Sequence, residues 1–247
     1  MMLVVDIGNS RIKWAQVHES NLSQQGSGQY SGSGFAQSLD EYWTDLDPPQ
    51  SLWATNVAGD KVANELHAWV EKRWCAPVHI LRATAHACGV SCAYAQPETL
   101  GADRWAAMIA AYRSSNSPVC IIDCGTAITI DAVDQNGSHL GGVILPGLGL
   151  MRRSLCDNTV DIDTVSEPGG KLLGVDTGQG VALGTLYAAG SAVDRVIEDL
   201  EAELGVEVEC LITGGNAAVL EPRLTHDCHH QPHLVLQGLA ILALEDR

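Results

Sequence analysis

The chain is poor in basic side chains and in long apolar runs. Its 247 residues include 14 Lys and Arg against 30 Asp and Glu, a formal net charge of −16. Such an acidic chain repels nucleic acid and anionic membrane surfaces, so we expect neither as a partner. No apolar run approaches the roughly 20 residues that span a bilayer. No basic segment followed by an apolar one opens the chain, so we expect a cytoplasmic protein.

The acidic charge is concentrated in the second half. Residues 1–115 carry 8 basic and 11 acidic side chains, whereas residues 116–247 carry 6 and 19. A polyphosphate bound by such a chain must be held by a few local cations, backbone amides and metal ions. Acidity by itself is typical of solubility rather than of function.

The chain also lacks any C-x-x-C pair among its eight cysteines. Without a signal peptide, scattered cysteines are most simply free and mostly buried thiols. Residues 226–233, rich in His with one Cys and one Asp, could supply zinc ligands, but a spaced second ligand pair is missing. A polar loop is the favoured interpretation.

A short motif stands out near the start. An apolar segment ends in Asp6, and Gly8, Asn9, Ser10 and Lys13 follow it. Backbone amides of residues 8–10 could bind phosphates, Lys13 could add positive charge, and Asp6 could act through Mg²⁺. The alternative is an ordinary β-turn, but that does not explain an Asp at the end of an apolar strand. The motif therefore favours a phosphate site.

The same motif returns 117 residues later, where Asp123, Gly125 and Thr126 follow a second apolar segment. Alone, such a strand–Gly–Thr turn is common. Its match to the first copy indicates two related domains that hold a nucleotide between them. A comparison without gaps places Ile130 where the first copy has Lys13.

The order of apolar segments and turns predicts an α/β fold with mixed sheets. Residues 114–118 read as a linker, so we expect domains at 1–115 and 116–247. We expect strands near residues 3–7, 13–17, 51–56, 78–81, 119–133 (two), 141–144 and 210–212. Residues 21–34 are expected to be a loop with a short edge strand. Helices are expected at 62–74, 105–113, 148–155, 180–204 and 236–244.

Gly101, Asp103 and Arg104 stand at the start of a predicted helix. A carboxylate there is explained by the helix dipole, but the adjacent Arg is not. In a transfer to an alcohol, Asp103 could accept the hydroxyl proton and Arg104 could orient an acidic acceptor. A Thr213-Gly214-Gly215 turn after a strand could approach a nucleotide, although any tight strand–helix turn can use two glycines.

Together these motifs resemble those of the type III pantothenate kinases, bacterial enzymes of the actin-like/sugar-kinase ATPase superfamily. The matching segments span nearly the whole chain: 6–13, 100–104, 123–127, 141–147 and 213–215. The resemblance implies two ribonuclease-H-like domains with mixed β-sheets and flanking helices, ATP in the interdomain cleft, and a homodimer. It implies ATP-dependent phosphorylation of pantothenate to 4′-phosphopantothenate, the first step of coenzyme A biosynthesis, with Mg²⁺ and a monovalent cation, K⁺ or NH₄⁺.

The resemblance also implies roles for individual residues. Asp103 matches the general base, Asp123 the monovalent-cation ligand, and Asp6 a Mg²⁺ ligand, directly or through water. The residues implied to bind ATP are Asp6, Gly8, Asn9, Ser10, Lys13, Thr126, Gly214 and Gly215. Those implied to bind pantothenate are Tyr94, Gly101, Ala102, Asp103, Arg104 and Thr177.

Two of these substrate residues rest on spacing. Tyr94 lies seven residues before Gly101, as the family's substrate tyrosine does, and a half-buried loop aromatic is its alternative. Thr177 fits the family's T-x-x-[AG]-[IV]-x-x-G stretch. Many members carry Asn before this Thr, where this chain has Asp176, and Thr185 is a nearby competitor.

Two other functions stay open. One is another small-molecule kinase or phosphatase of the same superfamily, against which the spacing of Tyr94 and the G-x-D-R motif argues. The other is a nonenzymatic transcription accessory factor. A regulator would be expected to lose a catalytic Asp or to carry a basic face, whereas this chain keeps Asp6, Asp103 and Asp123 and has an acidic second half.

Overall fold

A computed structural model describes residues 1–19, 21–30, 34–162 and 172–245. The strands are β1 (Met2–Ile7), β2 (Arg11–His18), β3 (Asn21–Gln29), β4 (Ser51–Asn56), β5 (Val78–Ile80), β6 (His86–Ala87), β7 (Val90–Ser91), β8 (Val119–Cys124), β9 (Ala127–Val133), β10 (His139–Pro146), β11 (Glu209–Thr213) and β12 (Cys228–His230). The helices are α1 (Phe35–Tyr42), α2 (Asp60–Trp74), α3 (Ala102–Ser114), α4 (Leu148–Asn158), α5 (Thr177–Leu204), α6 (Ala217–Leu220) and α7 (Leu234–Glu245).

The chain forms two compact units. The first contains Met1–Ser114, Asn136–His139 and the chain from His233 onward, and the second contains Ser115–Gln135 and Leu140–Pro232. Each unit has one five-stranded sheet of mixed direction. The predicted α/β fold with two mixed sheets is confirmed. Among the helices of the described ranges, none is both long and apolar enough to cross a bilayer.

In the first unit the sheet order is β3-β2-β1-β4-β5, with β1 antiparallel to β2 and parallel to β4. Leu3, Val5 and Ile7 pack into a core with α1 and α2. Because side chains alternate along a strand, Asp6 projects to the opposite face, where α3 and α7 pack on β1 and β4. Lys13 is the register partner of Asp6 on β2 and shares that face. The pleat therefore places both charges on the same face of the sheet.

The last helix belongs to the first unit because α3 and α7 approach very closely. A Cβ added to Gly238 would lie 1.8 Å from the carbonyl oxygen of Ala106. Only glycine allows this contact between helix backbones. The predicted domains place residues 136–139 and 233–247 in the second domain, so the compact units differ from them in both segments. The boundaries 1–115 and 116–247 stay a prediction.

The second unit repeats the topology of the first, in the order β10-β9-β8-β11-β12. Again the central strand, β8, is antiparallel to the following strand and parallel to β11. Cys120, Cys210 and Cys228 are register partners on three neighbouring strands and are buried. Hydrogen bonding to Cys120, together with burial, raises the pKa of Cys210 to about 12. All eight cysteines are free, as predicted.

Residues 21–34 are more regular than predicted. Strand β3 extends over nine residues, and two of its glycines lie against aromatic rings. A Cβ on Gly26 would lie 2.3 Å from Trp14, and one on Gly28 would lie 2.1 Å from the Tyr42 ring. Glycine here marks close packing rather than a loop. Residues 31–33 lie outside the described ranges.

Candidate functional site

The first hairpin turn joins β1 to β2 through residues 8–11. Gly8 N–H donates to the Arg11 carbonyl at 3.0 Å, and the Tyr30 hydroxyl donates to the Gly8 carbonyl. A Cβ on Gly8 would meet only the Arg11 carbonyl oxygen, at 3.4 Å. Gly8 also does not adopt a positive φ, so the fold itself does not require glycine there. A small residue at this position leaves the backbone open to a ligand, and Asn9 and Ser10 next to it are exposed.

Asp6, at the end of β1, lies in an environment that disfavours its ionised form. The Thr55 hydroxyl on β4 donates to Asp6 Oδ1 at 2.8 Å. Burial of the carboxylate and the nearby charge of Asp103 raise the pKa of Asp6 to about 6, against the opposing effects of Thr55 and Lys13. Two carboxylates that repel each other favour a cation between or beside them. The side chain is therefore a candidate Mg²⁺ ligand.

Asp103 is placed by the start of α3. The Trp105 amide donates to the Gly101 carbonyl at 3.0 Å, which closes the first turn. A Cβ on Gly101 would lie 2.6 Å from Asp103 Oδ1, so glycine there leaves room for the carboxylate. Asp103 Oδ1 also accepts from the Arg104 amide at 2.8 Å. Ala102, the first residue of α3, is buried beneath this turn.

Arg104 is buried, with 8% of its surface exposed, and its side chain meets Tyr94. Arg104 Nη1 donates to the Tyr94 hydroxyl at 3.2 Å, and the guanidinium carbon lies 5.8 Å from the ring centroid. The Tyr94 ring in turn stacks on His139, with centroids 6.0 Å apart and planes at 18°. A guanidinium is the side chain that matches a carboxylate best, so this pair is a candidate site for an acidic ligand.

The second hairpin turn, residues 125–127, is enclosed by two other segments of the second unit. The Asn216 amide donates to the Cys124 carbonyl at 2.9 Å, and the Gly147 amide donates to the Thr126 carbonyl at 3.0 Å. A Cβ on Gly147 would lie 2.4 Å from that same carbonyl oxygen. Thr126 is exposed at the tip of the turn.

Asp123 lies at the end of β8 and is the register partner of Thr213. Gly214 has φ +95°, and a Cβ there would lie 2.5 Å from Asp123 Oδ1. Glycine is thus required to bring the 213–215 turn against this carboxylate. Gly215 follows directly, before the short helix α6.

The two hairpins differ in turn length. The first pairs Ile7 with Ile12 and Asp6 with Lys13, whereas the second pairs Cys124 with Ile128 and Asp123 with Thr129. The second turn is one residue shorter. The structural counterpart of Lys13 is therefore Thr129, and the comparison that placed Ile130 there is wrong. Ile130 is buried in the core.

Thr177 is the first residue of α5 and is exposed. The preceding Asp176 caps the helix by accepting from the Gln179 amide at 2.8 Å, a task that Asn performs equally well. The competitor Thr185 is buried, and its hydroxyl donates to the Ala182 carbonyl at 2.9 Å. Exposure therefore favours Thr177 as a ligand contact.

Sequence reasoning missed three residues of the first unit: Thr55, Tyr30 and His139. Thr55 in β4 is the register partner of Asp6, as Thr213 in β11 is of Asp123, so the repeat indicated it. Tyr30 and His139 lie 22 and 45 residues along the chain from the groups that they contact. No local pattern marks such contacts.

The histidine-rich segment shows no metal site. His226 Nδ1 lies 3.0 Å from Asp194 Oδ1, which also accepts from the Thr225 amide at 3.0 Å. These bonds outweigh burial and lower the pKa of Asp194. Within the part of the chain that the structure describes, no three His, Cys, Asp or Glu side chains converge as metal ligands would.

The duplicated mixed sheet with an Asp at the end of each central strand defines an actin-like ATPase fold of the sugar-kinase type. A solved Sinorhizobium meliloti protein provisionally named a 2-dehydro-3-deoxygalactonokinase shares this fold, with a TM-score of 0.60, 13% identity, and coverage of 100% of this chain and 99% of its own. A conserved Campylobacter jejuni protein provisionally named a Baf family transcriptional activator gives a TM-score of 0.61 at 21% identity, with coverage of 99% and 98%.

The sequence narrows this class to one family. Residues 2–199 match the family profile described as type III pantothenate kinase. A relative from Nitrosococcus oceani with that name is 39% identical over 98% of this chain and 94% of its own length. The chain belongs to the type III pantothenate kinase family.

Proposed function

We propose that this protein phosphorylates pantothenate at its 4′ hydroxyl with ATP, the first step of coenzyme A biosynthesis in the cytoplasm. The observation that carries the proposal is the position of Asp103. Its charge is close enough to raise the pKa of Asp6, and its backbone neighbour Arg104 reaches Tyr94. One carboxylate thus lies between a candidate metal ligand and a candidate site for an acidic substrate.

The acceptor side of the site consists of Tyr94, Arg104 and Asp103. Pantothenate has a carboxylate at one end and a primary alcohol at the other. Arg104 would bind the carboxylate, since its guanidinium is already desolvated and held by the Tyr94 hydroxyl. Asp103 would accept the hydroxyl proton as the alcohol attacks. Gly101 and Ala102 supply the backbone beneath these groups, and Thr177 is proposed as a further substrate contact.

The nucleotide side is proposed in two parts. In the first unit, Gly8, Asn9 and Ser10 would bind phosphates through the open turn, and Lys13 would add positive charge. In the second unit, Thr126, Gly214 and Gly215 are proposed nucleotide contacts. Catalysis would come chiefly from positioning and electrostatics.

The metal ions are proposed from the chemistry of their ligands. Asp6 fits Mg²⁺, because its ionised form is disfavoured until a cation compensates it. When bound, Mg²⁺ neutralises charge on the phosphates in transfer. Asp123 is proposed to hold a monovalent cation, K⁺ or NH₄⁺. Its register partner on β9 is Thr129, at the position that Lys13 takes in the first hairpin.

A homodimer is also proposed. The second unit exposes large apolar side chains on β10 and α4: Leu140, Val143, Ile144, Leu150 and Leu155. Such a surface is typical of a protein interface. Thr177 lies beside it in a groove between α4 and α5.

We expect sedimentation at micromolar concentration to show twice the chain mass, and the Ile144→Glu variant to shift toward the monomer.

A coupled assay of ADP release tests the proposed activity. We expect ADP release to require pantothenate and Mg²⁺, and to rise when K⁺ or NH₄⁺ replaces Na⁺. Glucose and N-acetylmannosamine serve as alternative acceptors. If neither cation supports pantothenate-dependent release, the assignment is wrong, and release with a sugar would instead favour another kinase of the superfamily.

A further inference from the structure

The loop that carries Tyr94 is largely exposed to solvent. Ala93, Ala95 and Gln96 are all exposed, while Tyr94 is half-buried. The Tyr94 amide donates to the Cys92 sulfur at 3.4 Å, which is a weak hydrogen bond. The position of the phenol therefore depends on the side chains that touch its ring.

His139 is one of those side chains, and it holds the loop in two ways. Its ring stacks on the Tyr94 ring at 18°. Its Nδ1 accepts from the Ala93 amide at 3.4 Å, so it also fixes the backbone next to Tyr94. His139 is 4% exposed. A buried imidazole that meets both ring and backbone restricts the phenol to one orientation.

The segment that supplies His139 is itself tightly held within the first unit. The Ser91 amide donates to the Gly137 carbonyl at 2.8 Å, and Ser91 pairs with Ser138 as an isolated bridge. A Cβ on Gly137, which has φ +83°, would lie 2.0 Å from the Gly89 carbonyl oxygen. His139 therefore projects from a fixed backbone toward a loop that needs support.

We propose that His139 is a positioning residue for the acidic substrate: it holds the Tyr94 hydroxyl where Arg104 and the substrate carboxylate can both reach it. This rests on the proposed function. Ordering one side chain at the moment of binding lowers affinity by about 3- to 10-fold, and a preordered phenol avoids that loss. His139 would act on binding rather than on phosphoryl transfer, because it holds the ring of Tyr94 and the backbone next to it.

The test is steady-state kinetics of the full-length His139→Leu variant. We expect the KM for pantothenate to rise about 3- to 10-fold, with kcat and the KM for ATP within about twofold of wild type. His139→Phe keeps a stacking ring without the acceptor, and His139→Asn keeps an acceptor without the ring. Each should give a smaller rise in the KM for pantothenate. If His139→Leu fails to fold, these two variants test the proposal.

A double-mutant cycle separates positioning from general stability. In a Tyr94→Ala background, His139→Leu should add less than about twofold to the KM for pantothenate, because the ring that it positions is gone. His79→Leu is the matched control, since His79 also stacks on an aromatic ring of the first unit, with centroids 4.4 Å from Trp53. It should leave both KM values unchanged.

Two results would overturn the inference. One is an unchanged KM for pantothenate in all folded His139 variants, and the other is a full multiplicative effect of His139→Leu in the Tyr94→Ala background. Both presuppose an active wild-type enzyme. A wild type without pantothenate-dependent ADP release would contradict the proposed function instead, so the two failures are distinguishable.

Discussion

Replacing Asp103 by Asn should lower kcat by about 10²–10⁴-fold, the range for loss of a general base. The amide keeps the size of the side chain and can still accept from the Arg104 amide, but it cannot take the hydroxyl proton of the acceptor alcohol. The KM for ATP should change little. Rapid-quench measurement of a single turnover checks this, because it reports the transfer step and not product release.

Stability measurements show whether a lower kcat of Asp103→Asn reflects the lost proton acceptor or a destabilised fold. Asp103→Asn removes a charge that raises the pKa of Asp6, so the variant should be at least as stable as wild type. Asp60→Asn is the matched control, because Asp60 also lies in the first turn of a helix of the same unit and is exposed. It should keep full activity. Near-normal turnover by a folded Asp103→Asn protein would rule out the general base.

The second large effect is expected from Asp6→Asn, which should abolish most activity and yet stabilise the metal-free protein. Asn keeps an oxygen that can accept from the Thr55 hydroxyl, so the hydrogen bond survives while the charge is lost. A shift of roughly two pKa units corresponds to about 1–3 kcal/mol of unfolding free energy after allowance for partial exposure. Urea unfolding with a chelator present measures it.

The sign of the pH dependence follows from the raised pKa of Asp6. The folded state binds this proton up to about pH 6, whereas the unfolded chain releases it near pH 4. Wild-type stability should therefore fall as pH rises through that window, and the advantage of Asp6→Asn should be largest above pH 7 and vanish below about 4. Asp45→Asn, at an exposed site of the same unit, should show no such trend. An Asp6→Asn protein less stable than wild type at pH 8 would contradict this electrostatic account.

Short-range sequence patterns predicted many of the strands and helices. Alternating apolar residues around Asp6 and Asp123 predicted both hairpins, and the helical period predicted α2 and α3 within a few residues. The close approach of Gly238 to Ala106 could not be foreseen, since it depends on two helices far apart in sequence. A glycine in an apolar helix carries no local signal for the backbone that it will meet.

The candidate site divides in the same way. Asp6, Asp103 and Arg104 were predictable because each ends or begins an element, where polar side chains otherwise need an explanation. Their environment was not predictable. The raised pKa of Asp6 arises from burial and from a charge 97 residues along the chain. Likewise, the stacking of His139 on Tyr94 is a tertiary contact between residues far apart in sequence, which no motif spacing predicts.

Because the second turn is one residue shorter, a lysine that reproduces Lys13 in the second hairpin belongs at position 129. A lysine introduced at Thr129 would share a face with Asp123, its register partner, and could replace a dissolved cation with a tethered one. The same lysine at Ile130, which is 2% exposed, would place an ammonium group inside the apolar core. Engineering of cation-independent variants should therefore count positions by strand register and not by distance from the aspartate.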